Sequence, residues 1–325
     1  MMALDLSGQT DPPEPVRPLR VLALAGGGYR GLFTCEILIR LEAELKRPIG
    51  ELVDLTIGTS AGALIAAGIA HGVTSVAIGD AFRSFGPRIF PVSRFNKIRQ
   101  LALGAPYRAE PLADAIDHVL GQAASLTMKD FTANLAVTAV SQTASEGRIY
   151  TSGQFASAGQ GDLTIKEAIL ASAAAPTYFP PRRPGAETLV DGGITANAPE
   201  LLGLGLVNKV YGGALERTRI IAIGTAGPAA GRPALAPGPF SFASWIKPSR
   251  NLLLLTLEAQ EHLAMMIASQ LLGPRYCKVD QKPTVDQARV MGALDATSEE
   301  ASHTMAALAE IAWNRHRTEV LALLA

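Results

Sequence analysis

Leu52-Val53-Asp54-Leu55-Thr56-Ile57-Gly58-Thr59-Ser60-Ala61-Gly62-Ala63-Leu64-Ile65-Ala66-Ala67-Gly68-Ile69-Ala70-His71 is the stretch that decides the fold. The apolar run over 52–57, closed by glycine, has the length and composition of a buried strand. Ala61–His71 is apolar on every side, too hydrophobic for an exposed helix. A strand that passes within five residues into a buried helix is the unit of a parallel sheet covered by helices.

The same unit stands upstream. Val21-Leu22-Ala23-Leu24-Ala25 is a short apolar run that enters Gly26-Gly27-Gly28. From Gly31 to Lys46, Leu32, Cys35, Leu38, Ile39, Leu41 and Leu45 recur at helical spacing, and Pro48 stops the pattern. Further strands are predicted at Asn134–Ser141, Ile149–Ser152, Thr188–Val190 and Ile220–Ile223. Helices are predicted near Leu112–Leu120, Ile165–Ala173, Asn251–Leu272 and Glu299–Leu324. The expectation is an α/β chain with a mainly parallel central sheet. Residues 1–18 are rich in proline and read as a flexible arm. With no internal repeat and no linker after residue 20, residues 19–325 read as one domain. Its catalytic core covers about 20–225 and a C-terminal helical part about 240–325.

Composition narrows the function. Hydrophobic residues make up 48% of the 325, ample for a core, and Lys+Arg balances Asp+Glu at 29 each. A neutral chain lacks the basic surplus of a general DNA or RNA binder. Two isolated cysteines, Cys35 and Cys277, make no disulfide framework, and no Cys/His or Asp/Glu/His cluster has metal-ligand spacing. The N-terminus has no apolar signal region, and Ala61–Ala70 and Leu252–Leu257 are too short to span a membrane. A soluble cytoplasmic protein with no metal is the expectation, and a homo-oligomer is compatible with it.

The chemistry gathers at three glycine-rich turns. In Gly58-Thr59-Ser60-Ala61-Gly62, a strand-to-helix turn exposes a serine hydroxyl at a helix N-terminus, where free N–H groups favour developing negative charge. The plainer alternative is a helix-capping serine with two packing glycines. Gly26-Gly27-Gly28-Tyr29-Arg30-Gly31 first reads as a phosphate-binding loop of the G-x-G-x-x-G type. No acidic residue closes the second strand at the offset that reading requires. Such a turn also presents N–H groups to an oxyanion, and Gly27 and Gly28 are the expected donors. Arg30 either steadies the loop, faces an anionic head group, or forms a structural salt bridge.

A serine nucleophile needs a base. His71, His118, His262, His303 and His316 all fall in or at the ends of predicted helices, which marks them as surface or packing residues. Val190-Asp191-Gly192-Gly193 instead puts a carboxylate at the end of a short apolar strand, with glycines that clear space around it. Carboxyl ends of parallel strands converge, so Ser60 and Asp191 can meet across the sheet. Asp191 standing alone is also a common turn residue.

These three turns, in this order, resemble the patatin-like phospholipase family over residues 20–225. Ala171–Pro181 is similar to the family's small-residue turn before the Asp strand, while Ala25 stands where many members have Asp or Ser. The resemblance implies a three-layer α/β/α fold and cleavage of lipid acyl esters by a Ser-Asp dyad. It implies Ser60 as nucleophile, Asp191 as base and an oxyanion hole at Gly27 and Gly28. Gly26, Arg30, Gly31, Gly58, Gly62, Gly192 and Gly193 support these motifs. Leu22–Glu42 resembles more narrowly the bacterial patatin-like effectors of antiphage systems, which a cyclic dinucleotide such as cGAMP activates to degrade membrane phospholipid. That likeness implies a cyclic-dinucleotide activator and action at the inner face of the membrane. Three rivals stand beside it: an α/β-hydrolase with a His triad, a malonyl-transferase-like acyltransferase, and a non-catalytic nucleotide-binding module.

Two further segments carry weaker signals. Between Asp80 and Glu110 lie Arg83, Arg88, Arg94, Lys97, Arg99 and Arg108, interleaved with Phe82, Phe85, Phe90, Phe95 and Tyr107. This composition suits an anionic bilayer, an anionic nucleotide, or an ordinary solvated surface with some core aromatics. Pro87, Pro91 and Pro106 argue against one long helix there and for a lid or insertion. Within Trp245–Cys277, Met265, Met266, Ile267, Leu271 and Leu272 fit an acyl-chain channel or plain core.

Overall fold

A computed structural model describes residues 17–91, 106–160, 162–227, 252–292 and 294–325. Seven strands form one mixed sheet: β1 (Leu19–Leu24), β2 (Leu55–Gly58), β3 (Leu135–Ser141), β4 (Glu146–Thr151), β5 (Leu189–Asp191), β6 (Thr218–Ile223) and β7 (Tyr276–Val279). Their spatial order is β4-β3-β2-β1-β6-β7, with β5 also paired to β3. The pairs β1/β2, β1/β6, β2/β3 and β6/β7 are parallel, and β4 and β5 both run antiparallel to β3.

Alternation along β1 explains the layers. Leu22 and Leu24 pack into one hydrophobic cluster with α1 (Gly31–Leu45), α2 (Ala61–Ala70) and α3 (Ser75–Ile89). The opposite-facing Leu19, Val21 and Ala23 pack into a second cluster with Leu204, Leu206 and Val207. Both faces of the sheet are therefore covered, which is why its central strands read as continuous apolar runs rather than alternating ones. The expected α/β/α architecture is the observed one.

The remaining α-helices among the described residues are α4 (Glu110–Leu120), α5 (Ile165–Ser172), α6 (Gly193–Ala196), α7 (Glu200–Tyr211), α8 (Leu252–Leu272), α9 (Val285–Met291) and α10 (Glu299–Leu324). Sequence patterning misses α7 because Gly203 and Gly205 interrupt it. A Cβ at Gly203 would lie 2.9 Å from the Val21 side chain, so the glycine lets the helix lie close against the sheet. The patterning also misses β7, placing no strand between α8 and the end of the chain. The segment after Asp80 is described as far as Pro91 and again from Pro106. Ser75–Ile89 is a helix with Pro87 in its last turn, and it ends before Pro91. Arg94, Phe95, Lys97 and Arg99 lie outside the described residues.

Candidate active site

Ser60 stands two residues past the end of β2, at φ 54° and ψ −123°. Residues other than glycine rarely hold such a conformation, and it survives only where neighbours over-determine it. The neighbours do so here. A Cβ at Gly58 would lie 2.2 Å from the Gly62 carbonyl oxygen, and one at Gly62 would lie 2.3 Å from the Leu24 carbonyl oxygen. The turn is thus folded back on itself and pressed onto β1. The Ser60 N–H donates to Ser172 Oγ at 2.8 Å. Thr59 Oγ1 donates to the Ala196 carbonyl at 2.7 Å. The Ser60 side chain does not cap α2, so the capping alternative fails on geometry.

Asp191 reaches Ser60 by a route the sequence did not show. Because β4 occupies one side of β3 throughout, β5 lies on the side that β2 occupies further down. Gly58 pairs with Val137, and Asp191 pairs with Ala139, two positions along the same strand. The carboxyl ends of β2 and β5 therefore meet head-on, about 7 Å apart along β3. The convergence is real, but it comes from an antiparallel strand and not from parallel neighbours.

The Asp191 carboxylate is 6% exposed and accepts a 2.7 Å hydrogen bond from the Gly193 N–H. Burial pushes its pKa up to about 6, while that hydrogen bond and the interaction with the Ser60 hydroxyl pull it back part of the way. The glycines after it are required by space. A Cβ at Gly192 would lie 2.2 Å from Thr138 Oγ1, and one at Gly193 would lie 3.0 Å from Asp191 Oδ1.

The third turn lies against the first. A Cβ at Gly26 would sit 3.2 Å from Ser60 Cβ. Gly28 has φ +58°, and a Cβ there would lie 2.3 Å from the Leu294 carbonyl oxygen. The N–H groups of Gly26, Tyr29 and Arg30 donate to Asn197, Leu294 and Gly27 carbonyls. Among the described residues, the Gly27 and Gly28 N–H groups have no protein acceptor. That is the state in which a pair of donors serves an anion. Gly31 opens α1 against Phe82, whose ring atom would lie 2.7 Å from a Cβ at that position.

Arg30 is 7% exposed, and its Nε has no hydrogen-bond partner. Burial lowers its pKa, opposed by the nearby carboxylates of Glu261, Asp280 and Glu258. No carboxylate lies within salt-bridge distance of it among the described residues, so the simple structural salt bridge does not form.

Two cavities meet at Ser60. One is narrow, about 60 Å³, and apolar, lined by Tyr29, Leu64, Phe82, Phe85, Phe90 and Phe179 among others. The other is wide, about 700 Å³, and more polar. It contains Arg30, Asp191, Glu258, Glu261, Lys278 and Asp280. Phe82, Phe85 and Phe90 thus face inward to the apolar cavity. Arg83 pairs with Glu36 and Asp80, and Arg88 pairs with Asp114 at 3.2 Å. The Met-bearing helix α8 lines the wide cavity through Leu255, Leu257 and Met265.

His262 is an exposed α8 residue that also lines the wide cavity. No described hydrogen bond links it to Ser60 or Asp191. His71 lies against Phe131 and His118 against Phe85.

The patatin-like phospholipase family model matches residues 22–203. The chain belongs to that family. A cGAMP-activated phospholipase of Pseudomonas aeruginosa (strain BWHPSA011 / Pa011) is 33% identical over 288 residues, covering 88% of this chain and 85% of the relative. One from Vibrio cholerae serotype O1 is 31% identical over 205 residues, covering 57% of each chain. One from Escherichia coli (strain TW11681) is 34% identical over 198 residues, covering 57% of this chain and 55% of the relative. As a patatin-like phospholipase the chain is an acyl hydrolase. Among its described residues, no helix is long and apolar enough to cross a membrane.

Sequence reasoning misses the residue that joins the three turns. Asn197, 5% exposed, accepts from the Gly26 N–H through its carbonyl at 3.0 Å and donates from Nδ2 to the Gly26 carbonyl at 3.2 Å. Its Nδ2 also meets Glu261 of α8. Asn197 follows Ala196, which holds Thr59, so one short segment fixes the glycine loop, the serine turn and the Asp191 turn together. Its only sequence signal is a polar residue closing the turn after Asp191-Gly192-Gly193. Ser172 is likewise a small polar residue in a run of alanines, and its hydroxyl holds the Ser60 backbone.

Proposed function

We propose that this phospholipase cleaves acyl esters of membrane phospholipids, with Ser60 as nucleophile and Asp191 as general base. The observation that carries this reading is the position of Ser60 at the junction of a narrow apolar cavity and a wide polar one. A phospholipid ester has that division: an acyl chain on one side of its carbonyl, a glycerophosphate on the other.

In this reading Asp191 takes the Ser60 proton as Oγ attacks the carbonyl carbon. The negative charge that develops on the carbonyl oxygen is met by the Gly27 and Gly28 N–H groups, aided by the N-terminus of α2. Collapse expels the glycerol oxygen, which recovers the proton from Asp191 and leaves an acyl ester on Ser60. A water enters from the wide cavity, gives its proton to Asp191, and attacks. The fatty acid departs as Ser60 regains its proton. A carboxylate near its ordinary 3.8 is a weak base; raised to about 6 by burial, Asp191 is better matched to the task. Arg30, buried and unpaired at Nε on the wall of the wide cavity, suits an anionic head group.

Surface and relatives support the rest. Leu255, Leu263, Met266 and Leu271 of α8 are 41–54% exposed, apolar area that suits peripheral contact with a bilayer. Relatives bearing the name cGAMP-activated phospholipase support a cyclic dinucleotide as activator, and to that activation we join a proposed role in antiphage defence at the inner membrane face. The test is hydrolysis of phospholipid vesicles with and without a panel of cyclic dinucleotides that includes cGAMP. Hydrolysis that appears only with one of them is the expected result. Constitutive hydrolysis removes the switch and keeps the esterase. No hydrolysis under any condition favours a binding module.

A further inference from the structure

Away from Ser60, the sheet edge and the last helix bring together three side chains of a different kind. Cys277 lies on β7, while His316 and Glu319 lie three residues apart on α10 and so share one helix face. Cys277 Sγ is 4.0 Å from His316 Nδ1 and 3.4 Å from Glu319 Oε2. His316 Nδ1 is 3.4 Å from Glu319 Oε2. The three donor atoms make a closed triangle.

Such a trio has two chemical readings. In a nucleophilic relay the thiol addresses one ring nitrogen and the carboxylate orients the other. Here both face the same nitrogen, Nδ1, so no line of proton transfer runs through the ring. The thiol is also 3% exposed and lies beside the Glu319 carboxylate, the opposite of the electropositive, accessible surroundings of an activated cysteine. Convergence on one point is instead what a metal ion requires. With bonds of about 2.3 Å to sulfur and about 2.0–2.2 Å to nitrogen and oxygen, tetrahedral angles put ligand atoms roughly 3.3–3.6 Å apart. Two edges of the triangle lie in that range and the third exceeds it by a few tenths of an ångström.

We propose that Cys277, His316 and Glu319 bind a divalent transition ion of the zinc class through three protein ligands, with a fourth position open to water. Binding releases the Cys277 proton to solvent. The resulting thiolate and the Glu319 carboxylate together neutralise the ion's two positive charges, with His316 as the neutral third ligand. The ion would clip the edge strand to the C-terminal helix. Lys278 and Asp280, next to Cys277 in the chain, line the cavity beside Ser60, so the clip also steadies that wall. Spacing along the chain concealed the trio, because β7 and α10 meet only in the fold.

The 325-residue protein is titrated with cobalt(II), then dialysed against zinc chloride and assayed for bound metal. The expected result is one equivalent per chain and a near-ultraviolet thiolate-to-cobalt charge-transfer band. Cys277→Ser loses the band, and His316→Ala and Glu319→Gln lose stoichiometric zinc retention. Thermal melts confirm that each variant folds. If Cys277→Ser does not fold, the His316→Ala and Glu319→Gln pair decides. A wild-type cobalt complex without the band overturns the site and leaves a plain thiol–carboxylate hydrogen bond. So does zinc retention unchanged in a folded variant.

Discussion

The turns at Gly26–Gly31 and Gly58–Gly62 follow neighbouring parallel strands and open helices that enter one hydrophobic cluster. Locally they are the same motif, yet they carry their unusual backbone in opposite ways. In the first, positive φ falls on Gly28, where it costs little. In the second it falls on Ser60 itself, and the flanking glycines only make room. The first turn is a relaxed display of two unpaired N–H groups. The second holds a side chain in a conformation it would not choose. The proposed oxyanion donors need only be free, whereas the proposed nucleophile must be aimed, and in these turns the strain accompanies the aiming.

The comparison can be broken in graded steps. Ser60→Ala deletes the proposed nucleophile, and esterase activity should fall by about 10⁶-fold with the fold intact. Activity close to wild type would end the proposal. Asp191→Asn should cost about 10⁴-fold. It carries a second readout, because the folded pKa of Asp191, about 6, lies above its ordinary 3.8. A raised carboxyl contributes stability below the lower value and loses it as pH rises through the upper one. The ionised group therefore destabilises the protein at neutral pH by up to roughly 3 kcal/mol. Asp191→Asn should accordingly melt higher than wild type at pH 7 and show little difference at pH 4. As the proposed base, Asp191 must be ionised to act, so wild-type activity should rise with pH through about 6 and then level off.

Gly28→Ala tests the relaxed turn. A side chain at φ +58° facing the Leu294 carbonyl should distort the donors and lower the rate by about 10²–10³-fold, read chiefly in kcat. A silent Gly28→Ala would mean that these N–H groups meet no oxyanion. Ser60→Gly tests the strained turn at equilibrium. It should be inactive yet more stable than Ser60→Ala by about 1 kcal/mol in denaturant titrations, since glycine adopts the backbone freely. The smallest effect is expected at His262. Its replacement by alanine should leave activity unchanged, and a large loss would revive the histidine-triad alternative.

What was legible beforehand follows the same division. Turns compressed into a few adjacent residues could be read: Ser60 between its glycines, Asp191 before its own, and the loop with three glycines in a row, which the fold brings together. The buried strands could be read because both sheet faces are covered and the apolar runs are unbroken. What could not be read depends on pairing across the chain. The direction of β5 is set by hydrogen bonds to β3, and three residues carry too little pattern to reveal it. Asn197 and Ser172 matter through one or two bonds each, with no periodic neighbours to flag them. The α7 helix hid behind glycines that serve packing against Val21. Arg83 and Arg88 looked like a cationic surface because their partners, Glu36 and Asp114, lie outside that acid-free stretch.

The head-on meeting of β2 and β5 has one more consequence. The distance between Ser60 and Asp191 is measured off on β3, from Val137 to Ala139, and not along the 131 positions of chain that separate them. Loops in that interval can lengthen, shorten or change partner without moving either side chain, so substrate choice and control are free to diversify there. A one-residue slip of β5 against β3 has the opposite character, since it would turn Asp191 to the other face of the sheet in a single step. The fold thus leaves its periphery open to change while making the spacing of Ser60 and Asp191 an all-or-none property of one strand.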